Sequence, residues 1–319
     1  MRRIDVFNGD ADGLCALRQL RLAEPAVSEL VTGVKRDIAL LARVAASPGD
    51  LVTVLDVSLE RNRAALLGLL ERGVHVRYFD HHFAGEIPSH PGLQAFIDAS
   101  GGTCTSMLVD RHLGGRFRAW AVAAAFGDGL DQAALNLGAE MALGATELEK
   151  LRELGRSLNY NAYGETEDDL LVPPARLYRA LAGYEDPLRF VAADELYRLL
   201  DAGRHADLAA VSDVEPYWAG QGGRVYLLPD APWSRRVSGT FANQLARQHT
   251  RRALAVLVPS RGGGYVVSVR VPAGARSSAD EFCRSFSGGG RREAAGIDRL
   301  PASDLALFLS RFAAGPASG

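Results

Sequence analysis

Four short stretches of this 319-residue chain carry side chains able to do chemistry together. They are Asn8-Gly9-Asp10-Ala11-Asp12-Gly13, Asp56, Asp80-His81-His82 and Asp128, all in the first half of the sequence. Carboxylates gathered about 4 Å apart repel one another by roughly 4 kcal/mol per pair at an effective dielectric near 20, so protons or cations must compensate them. Asp and His without thiolates suit a hard-to-borderline divalent ion, with oxygen favouring Mg²⁺ or Mn²⁺ and imidazole tipping the choice to Mn²⁺. Two ions match the ligand count better than one, and a pair of ions about 3.5–4 Å apart suits an in-line displacement at phosphorus. Each piece alone also has a bland reading: Asp-x-Asp-Gly after a strand makes turns and helix caps, and Asp56 stands just before the capping residue Ser58. Two neighbouring imidazoles beside Asp80 are harder to assign to packing.

These groups need elements that bring them together. Ile4–Phe7, Leu30–Val34, Leu51–Leu55 and Val74–Phe79 read as strands, with Ala95–Ile97 a fifth. Helical patterns lie between them: leucines at 14, 17, 20 and 22, a segment Ile38–Ala46 with Asp37 as cap, and leucines at 59, 66, 67, 69 and 70 after Ser58. Strands alternating with helices predict an α/β fold with a parallel sheet and helices on both faces. Ligands of such sheets collect outside the carboxyl ends of the strands. The first, third and fourth strands end at these acids and histidines, and Asp128 closes an Ala-rich helical segment. From Gly138 leucines recur at helical spacing with few β-branched residues, giving a helical connector. After Gly220-Gln221-Gly222-Gly223, strands at Val225–Leu228, Ala253–Val258 and Tyr265–Val271 alternate with helices near Ser238–Gln248, Ser278–Phe286 and Ser303–Phe312. The division expected is 1–137, a metal-binding catalytic domain; 138–219, the connector; and 220–319, a smaller α/β domain, its tail 315–319 frayed.

Composition narrows the function classes. Apolar residues make up 47% and charged ones 23%, ordinary for a globular chain. Lys+Arg at 36 against Asp+Glu at 38 gives −2, which argues against an electrostatic binder of long nucleic acid. Cys15, Cys104 and Cys283 have neither disulfide-scaffold nor zinc-ribbon spacing. Asp5 precedes any apolar stretch, unlike a signal peptide, and no run approaches the roughly 20 apolar residues of a membrane span. A cytoplasmic protein with no membrane partner is expected.

In order and spacing, Asp10-Ala11-Asp12-Gly13, Asp56, Asp80-His81-His82 and Asp128 resemble the motifs of the DHH phosphoesterase superfamily. The likeness continues into Val267-Ser268-Val269-Arg270 and Ser287-Gly288-Gly289-Gly290-Arg291-Arg292-Glu293-Ala294-Ala295-Gly296, which resemble the substrate-binding domain associated with that family. The resemblance implies that Asp10, Asp12, Asp56, His81 and Asp128 are metal ligands, with Asp56 bridging two ions, Mn²⁺ or in its place Mg²⁺ or Co²⁺. It implies that His82 donates a hydrogen bond to the scissile phosphate. Asp80 is expected to orient His81 or the loop, as carboxylates beside ligating histidines do. Arg270, Arg291 and the amides of Gly288, Gly289 and Gly290 would hold a terminal phosphate or base.

Two departures stand out. Asn8 occupies a position where the family usually places a His or Asp, making it a weaker ligand to metal or substrate. Arg291-Arg292 stand where the family's glycine loop usually has a His, pointing to a more anionic end group. The activity implied is hydrolysis of short oligonucleotides or small nucleotide phosphoesters by metal-bound hydroxide attack on phosphorus. The competing readings are a phosphomonoesterase or pyrophosphatase-like hydrolase, and a catalytically weakened nucleotide-binding sensor. Edge strands leave room for a homodimer that nothing in the sequence requires.

Other segments have two readings each. Trp233–Gly239, ahead of a helix, is an anion-binding helix start or a solvated loop capped by Ser238. Lys35-Arg36 bind phosphate or, the blander choice, face solvent. Gly101–Ser106 starts a helix whose amides could face the site, and Asn159–Gly164, with Tyr160 and Tyr163, stacks bases or packs the connector.

Overall fold

The computed structural model describes residues 1–275 and 277–315, which form two compact units divided between Arg204 and His205. Residues 316–319 of the tail lie outside the described residues.

The first unit is built on five parallel strands, β1 (Arg3–Phe7), β2 (Glu29–Val31), β3 (Leu51–Leu55), β4 (His75–Asp80) and β5 (Leu93–Ile97), in the order β2-β1-β3-β4-β5. This is the expected α/β architecture. The order reverses at β1, so connections leave β1 and β3 to opposite sides and a crevice opens at their carboxyl ends. Pairing is continuous across that fork, with Arg3 to Phe7 of β1 opposite Leu51 to Leu55 of β3.

Helices α1 (Ala11–Ala23), α2 (Leu59–Glu71), α3 (Thr105–His112), α4 (Arg118–Gly127), α5 (Asp131–Glu140), α6 (Ala145–Asn161), α7 (Pro174–Leu181) and α8 (Pro187–Ala193) complete the unit, and α9 (Glu195–Ser212) carries the chain across the division. Both faces of the sheet are covered. Leu14, Leu17, Phe79, Trp120 and Leu158 belong to the core on one side, and Val52, Val54, Leu66, Leu70 and Val76 to the core on the other. Asp5, within β1, is buried because Arg21 closes on it with Nε at 2.8 Å and Nη2 at 2.5 Å.

One expected helix is absent. Ile38–Ala46 forms only a 3₁₀ turn at Leu40–Arg43. Asn62 of α2 takes the backbone groups that a helix would need, its Nδ2 donating to Ile38 O (2.7 Å) and its Oδ1 accepting from Leu41 N (3.2 Å). Asp37 does not cap there and pairs with Arg43 at 2.7 Å instead.

The second unit has a six-stranded mixed sheet: β6 (Trp218–Gly220), β7 (Gly223–Leu227), β8 (Leu254–Pro259), β9 (Tyr265–Arg270), β10 (Gly289–Gly290) and β11 (Ala294–Leu300), ordered β10-β11-β9-β8-β7-β6. Its helices are α10 (Pro232–Gln248), α11 (Ala279–Arg284) and α12 (Leu305–Ala314). α10 begins earlier than expected, because Pro232 at its first turn presets the helical φ. No helix among the described residues is long and apolar enough to cross a membrane.

Candidate metal centre

Asp10 follows β1 and caps α1, its Oδ1 accepting from the amides of Asp12 (3.0 Å) and Gly13 (3.2 Å). The cap reading is therefore true of it, and capping leaves Oδ2 for another partner. Gly13 is required: a Cβ there would stand 2.2 Å from Asn8 O. Asp12, fully buried, receives the amides of Thr105 (2.7 Å) and Ser106 (2.6 Å) on its two oxygens. The start of α3 thus aims its amides at the site, and the group they hold is Asp12.

Asp56 leaves β3 with a left-handed backbone, φ 57°, one of three non-glycine residues with positive φ among those described. Such a conformation costs a non-glycine residue on the order of 1–2 kcal/mol. It is fixed by the Asp56 amide bonding Phe79 O of β4 at 3.1 Å. β4 ends at Asp80 and delivers His81 and His82 beyond it. Asp128 ends α4, where α4 crosses α6 at very short range: a Cβ on Gly155 would fall 2.0 Å from Ala123 O. That crossing sets Asp128 and the end of α6 over the strand ends.

Around His81 Nε2 lie Asp56 Oδ1 at 3.4 Å, Asp12 Oδ2 at 3.9 Å and Asp128 Oδ2 at 3.9 Å. Asp12, His81 and Asp128, and likewise Asp56, His81 and His82, each offer ligand atoms within 4.8 Å of one another. Four of the five residues expected to bind metal therefore converge. Asp10 lines the same cavity beside Asp56, and its Oδ2 accepts from Lys35 Nζ at 2.5 Å. Lys35 also donates to Asn159 Oδ1 at 2.9 Å and lies 3.8 Å from Asp128 Oδ1. The blander expectation, Lys35 facing solvent, is thereby corrected.

The titration of the group follows this division. Burial would raise Asp10, but the charge and hydrogen bond of Lys35 overcome it and the carboxyl ends below its ordinary value. Burial raises Asp12 despite His81, and raises Asp56 well above its ordinary value with the charges of Asp10 and Asp12 added. Asp128 is pushed up to about 6 by burial and by Asp12, against the pull of Lys35. Three carboxyls are left crowded and undercompensated, and with one imidazole they form a donor set that fits a hard-to-borderline divalent cation. Asn8 Oδ1, on the wall of the same cavity, is buried without a hydrogen-bond partner among the described residues.

Asp80 partners His82 and not His81, its Oδ1 lying 2.7 Å from His82 Nδ1. That hydrogen bond raises the His82 pKa against the opposing effect of burial. The chain runs on from β4 so that the second histidine folds back over the strand end, which spacing alone could not indicate. A cavity of about 700 Å³ opens onto the group and includes Arg61 and the 73%-exposed Phe83 in its wall. Phe83 directly follows the His pair, a signal the sequence offered and the motif reading passed over. Tyr163 serves the site indirectly: Lys35 Nζ lies 5.9 Å from its ring centroid, and its hydroxyl accepts from Asn159 Nδ2 at 3.1 Å. Tyr160 is buried, and Cys104 is a buried thiol whose pKa burial drives well up, unlike a nucleophile.

In the second unit the predicted phosphate cradle is largely spoken for. Gly288 N bonds Cys283 O at 2.9 Å and Gly290 N bonds Asp280 Oδ1 at 2.9 Å. Gly289 and Gly290 form β10 beside β11, because the Ala-Ala-Gly segment is drawn into the sheet opposite β9. Arg270 donates to Asn243 Oδ1 (2.9 Å) and Val269 O (2.9 Å), and Arg291 is exposed. Trp233–Gly239 lies inside α10, where Arg235 pairs with Asp230 and Arg236 closes on buried Asp207 at 2.7 and 3.0 Å. These arginines hold structure, which corrects the anion-site reading.

No family model and no curated protein matches the chain. Solved structures do. The exonuclease RecJ bound to manganese matches 100% of this chain and 91% of its own at 21% identity, with a TM-score of 0.66. RecJ from Thermus thermophilus in complex with Mn²⁺ matches at 22% identity and a TM-score of 0.62; this chain spans 52% of that longer one. PggH, a pGpG-specific phosphodiesterase from Vibrio cholerae, matches over 98% of both chains at 13% identity and a TM-score of 0.54. At such identities the likeness is one of architecture, and it agrees with the motifs: the chain has the fold of the DHH phosphoesterases.

Proposed function

We propose that the chain is a metal-dependent phosphodiesterase acting on short oligonucleotides or small nucleotide phosphoesters. The observation that carries this reading is the convergence of Asp12, Asp56, His81 and Asp128 at the carboxyl ends of the sheet, with His82 beside them. These four residues would hold divalent metal, Mn²⁺ being favoured by the imidazole and by its presence in the RecJ structures. A cation bound there supplies a Lewis acid for a phosphoryl oxygen.

The chain's own groups do the rest. Asp80 accepts a hydrogen bond from His82 Nδ1–H, which fixes the ring and favours the protonated imidazole, leaving Nε2–H to donate to a non-bridging phosphoryl oxygen. Phe83 offers a stacking face and Arg61 a charge in the wall of a cavity sized for a small ligand. Arg270 and Arg291 of the second unit are assigned to a substrate end, and the overall charge of −2 disfavours long nucleic acid.

The test is turnover of dinucleotides and a generic phosphodiester by the purified chain with Mn²⁺. The expected result is metal-dependent hydrolysis that falls at least about 10³-fold in Asp56→Ala, equivalent to roughly 4 kcal/mol of transition-state stabilisation. No turnover with any divalent metal, or turnover unchanged in Asp56→Ala, overturns the reading. One observation favours a nucleotide-binding sensor as the second reading: Asn8 is uncharged and Lys35 already holds Asp10, which lowers the charge available to metal. Binding without turnover would select it.

A further inference from the structure

We propose that Lys35 is a built-in cation that takes the place of a second metal ion, so that the centre holds one divalent ion and one ammonium. This deepens the phosphodiesterase reading and rests on it.

The residues at the carboxyl ends of the sheet divide into two sets. Asp12, Asp56, His81 and Asp128 surround a space bounded by ligand atoms and contain no lysine or arginine. Asp10 lines the same cavity beside Asp56, but both of its oxygens are taken. One of its oxygens is fixed by the α1 amides, and the other meets Lys35 Nζ at 2.5 Å. A second ion would need that same oxygen, and it would have to displace an ammonium held from several directions. Lys35 Nζ also bonds Asn159 Oδ1, and Asn159 is braced by Tyr163. The Lys35 backbone is pinned as well, its amide donating to Ala162 O at 2.9 Å.

Asn8 completes the argument. A metal position next to Asp10 would gain charge from a carboxylate or a strong donor from imidazole at residue 8, and the amide supplies neither. An ammonium needs neither, since Asp10 alone neutralises it. Charge balance agrees: the ammonium cancels Asp10, and a divalent ion offsets most of the charge of Asp12, Asp56 and Asp128. The ammonium is a hydrogen-bond donor that metal removal cannot strip, so one positive charge remains at the crevice in the metal-free chain.

The experiment is metal analysis of the full chain equilibrated with excess Mn²⁺ and freed of unbound ion, together with its electron paramagnetic resonance spectrum. About one Mn²⁺ per chain is expected, with the hyperfine spectrum of an isolated ion. Asn8→His combined with Lys35→Ala is expected to raise the count to about two and give a spin-coupled spectrum, whereas Lys35→Arg, which keeps a cation, stays at one. Two coupled ions in the wild-type chain, or a folded double variant that still holds one, overturn this inference and leave the phosphodiesterase reading intact. A wild-type chain that holds none overturns both. Should the double variant fail to fold, the wild-type count alone decides.

Discussion

In the first unit, Asp12, Asp56 and Asp128 share one imidazole, and no lysine or arginine donates a hydrogen bond to any of the three among the described residues. In the second unit the charges close on one another: Arg236 forks onto Asp207, Arg235 meets Asp230, and Arg284 lies 2.9 Å from Asp280. Burial is similar for the groups compared, with Asp12 at 1% exposure and Asp207 at 7%. The difference lies in partnership. A buried carboxylate with a guanidinium partner is a structural element, and one left facing others of its kind stores an affinity for something from outside.

Substitutions can break that contrast. The largest effect is expected on stability: Arg236→Ala strips the guanidinium from buried Asp207 and should cost about 3–5 kcal/mol. Denaturant unfolding would measure it, and Mn²⁺ binding by the first unit should persist below the transition. His82→Ala should come next, lowering kcat about 10²–10³-fold with metal content unchanged, since His82 is placed to move a proton and the cation set is complete without it. Loss of bound Mn²⁺ in that variant would instead place His82 among the ligands. Smallest is Arg270→Ala, whose guanidinium already has two internal partners; KM should rise several-fold at constant kcat, equivalent to about 1 kcal/mol. A collapse of kcat there would mean that the second unit does chemistry.

Much of the first unit could be read in advance because its signals are local. Leu51–Leu55 is a β-branched run bounded by turn residues, and Ser58 does cap α2, accepting from Arg61 N at 3.4 Å. The strand-end acids follow from topology, which places every carboxyl end of a parallel sheet on one side. What escaped depends on contacts closed over long stretches of chain. Lys35 reads as a surface lysine until α6 brings Asn159 and Ala162 to it, and the helix expected after Asp37 yields to an asparagine on α2. β11 escaped for another reason: Ala-Ala-Gly has poor strand propensity, and its partner β9 imposes the conformation.

The left-handed backbone of Asp56 has a consequence for anyone wishing to capture a ligand in this crevice. β-Branched side chains are disfavoured in that turn, whereas asparagine, like the aspartate it would replace, is among the non-glycine residues that enter it. An Asp56→Asn chain would thus keep its shape while lacking the charge at the fork between β1 and β3. It offers a folded, inert twin in which an intact phosphoester could be crystallised.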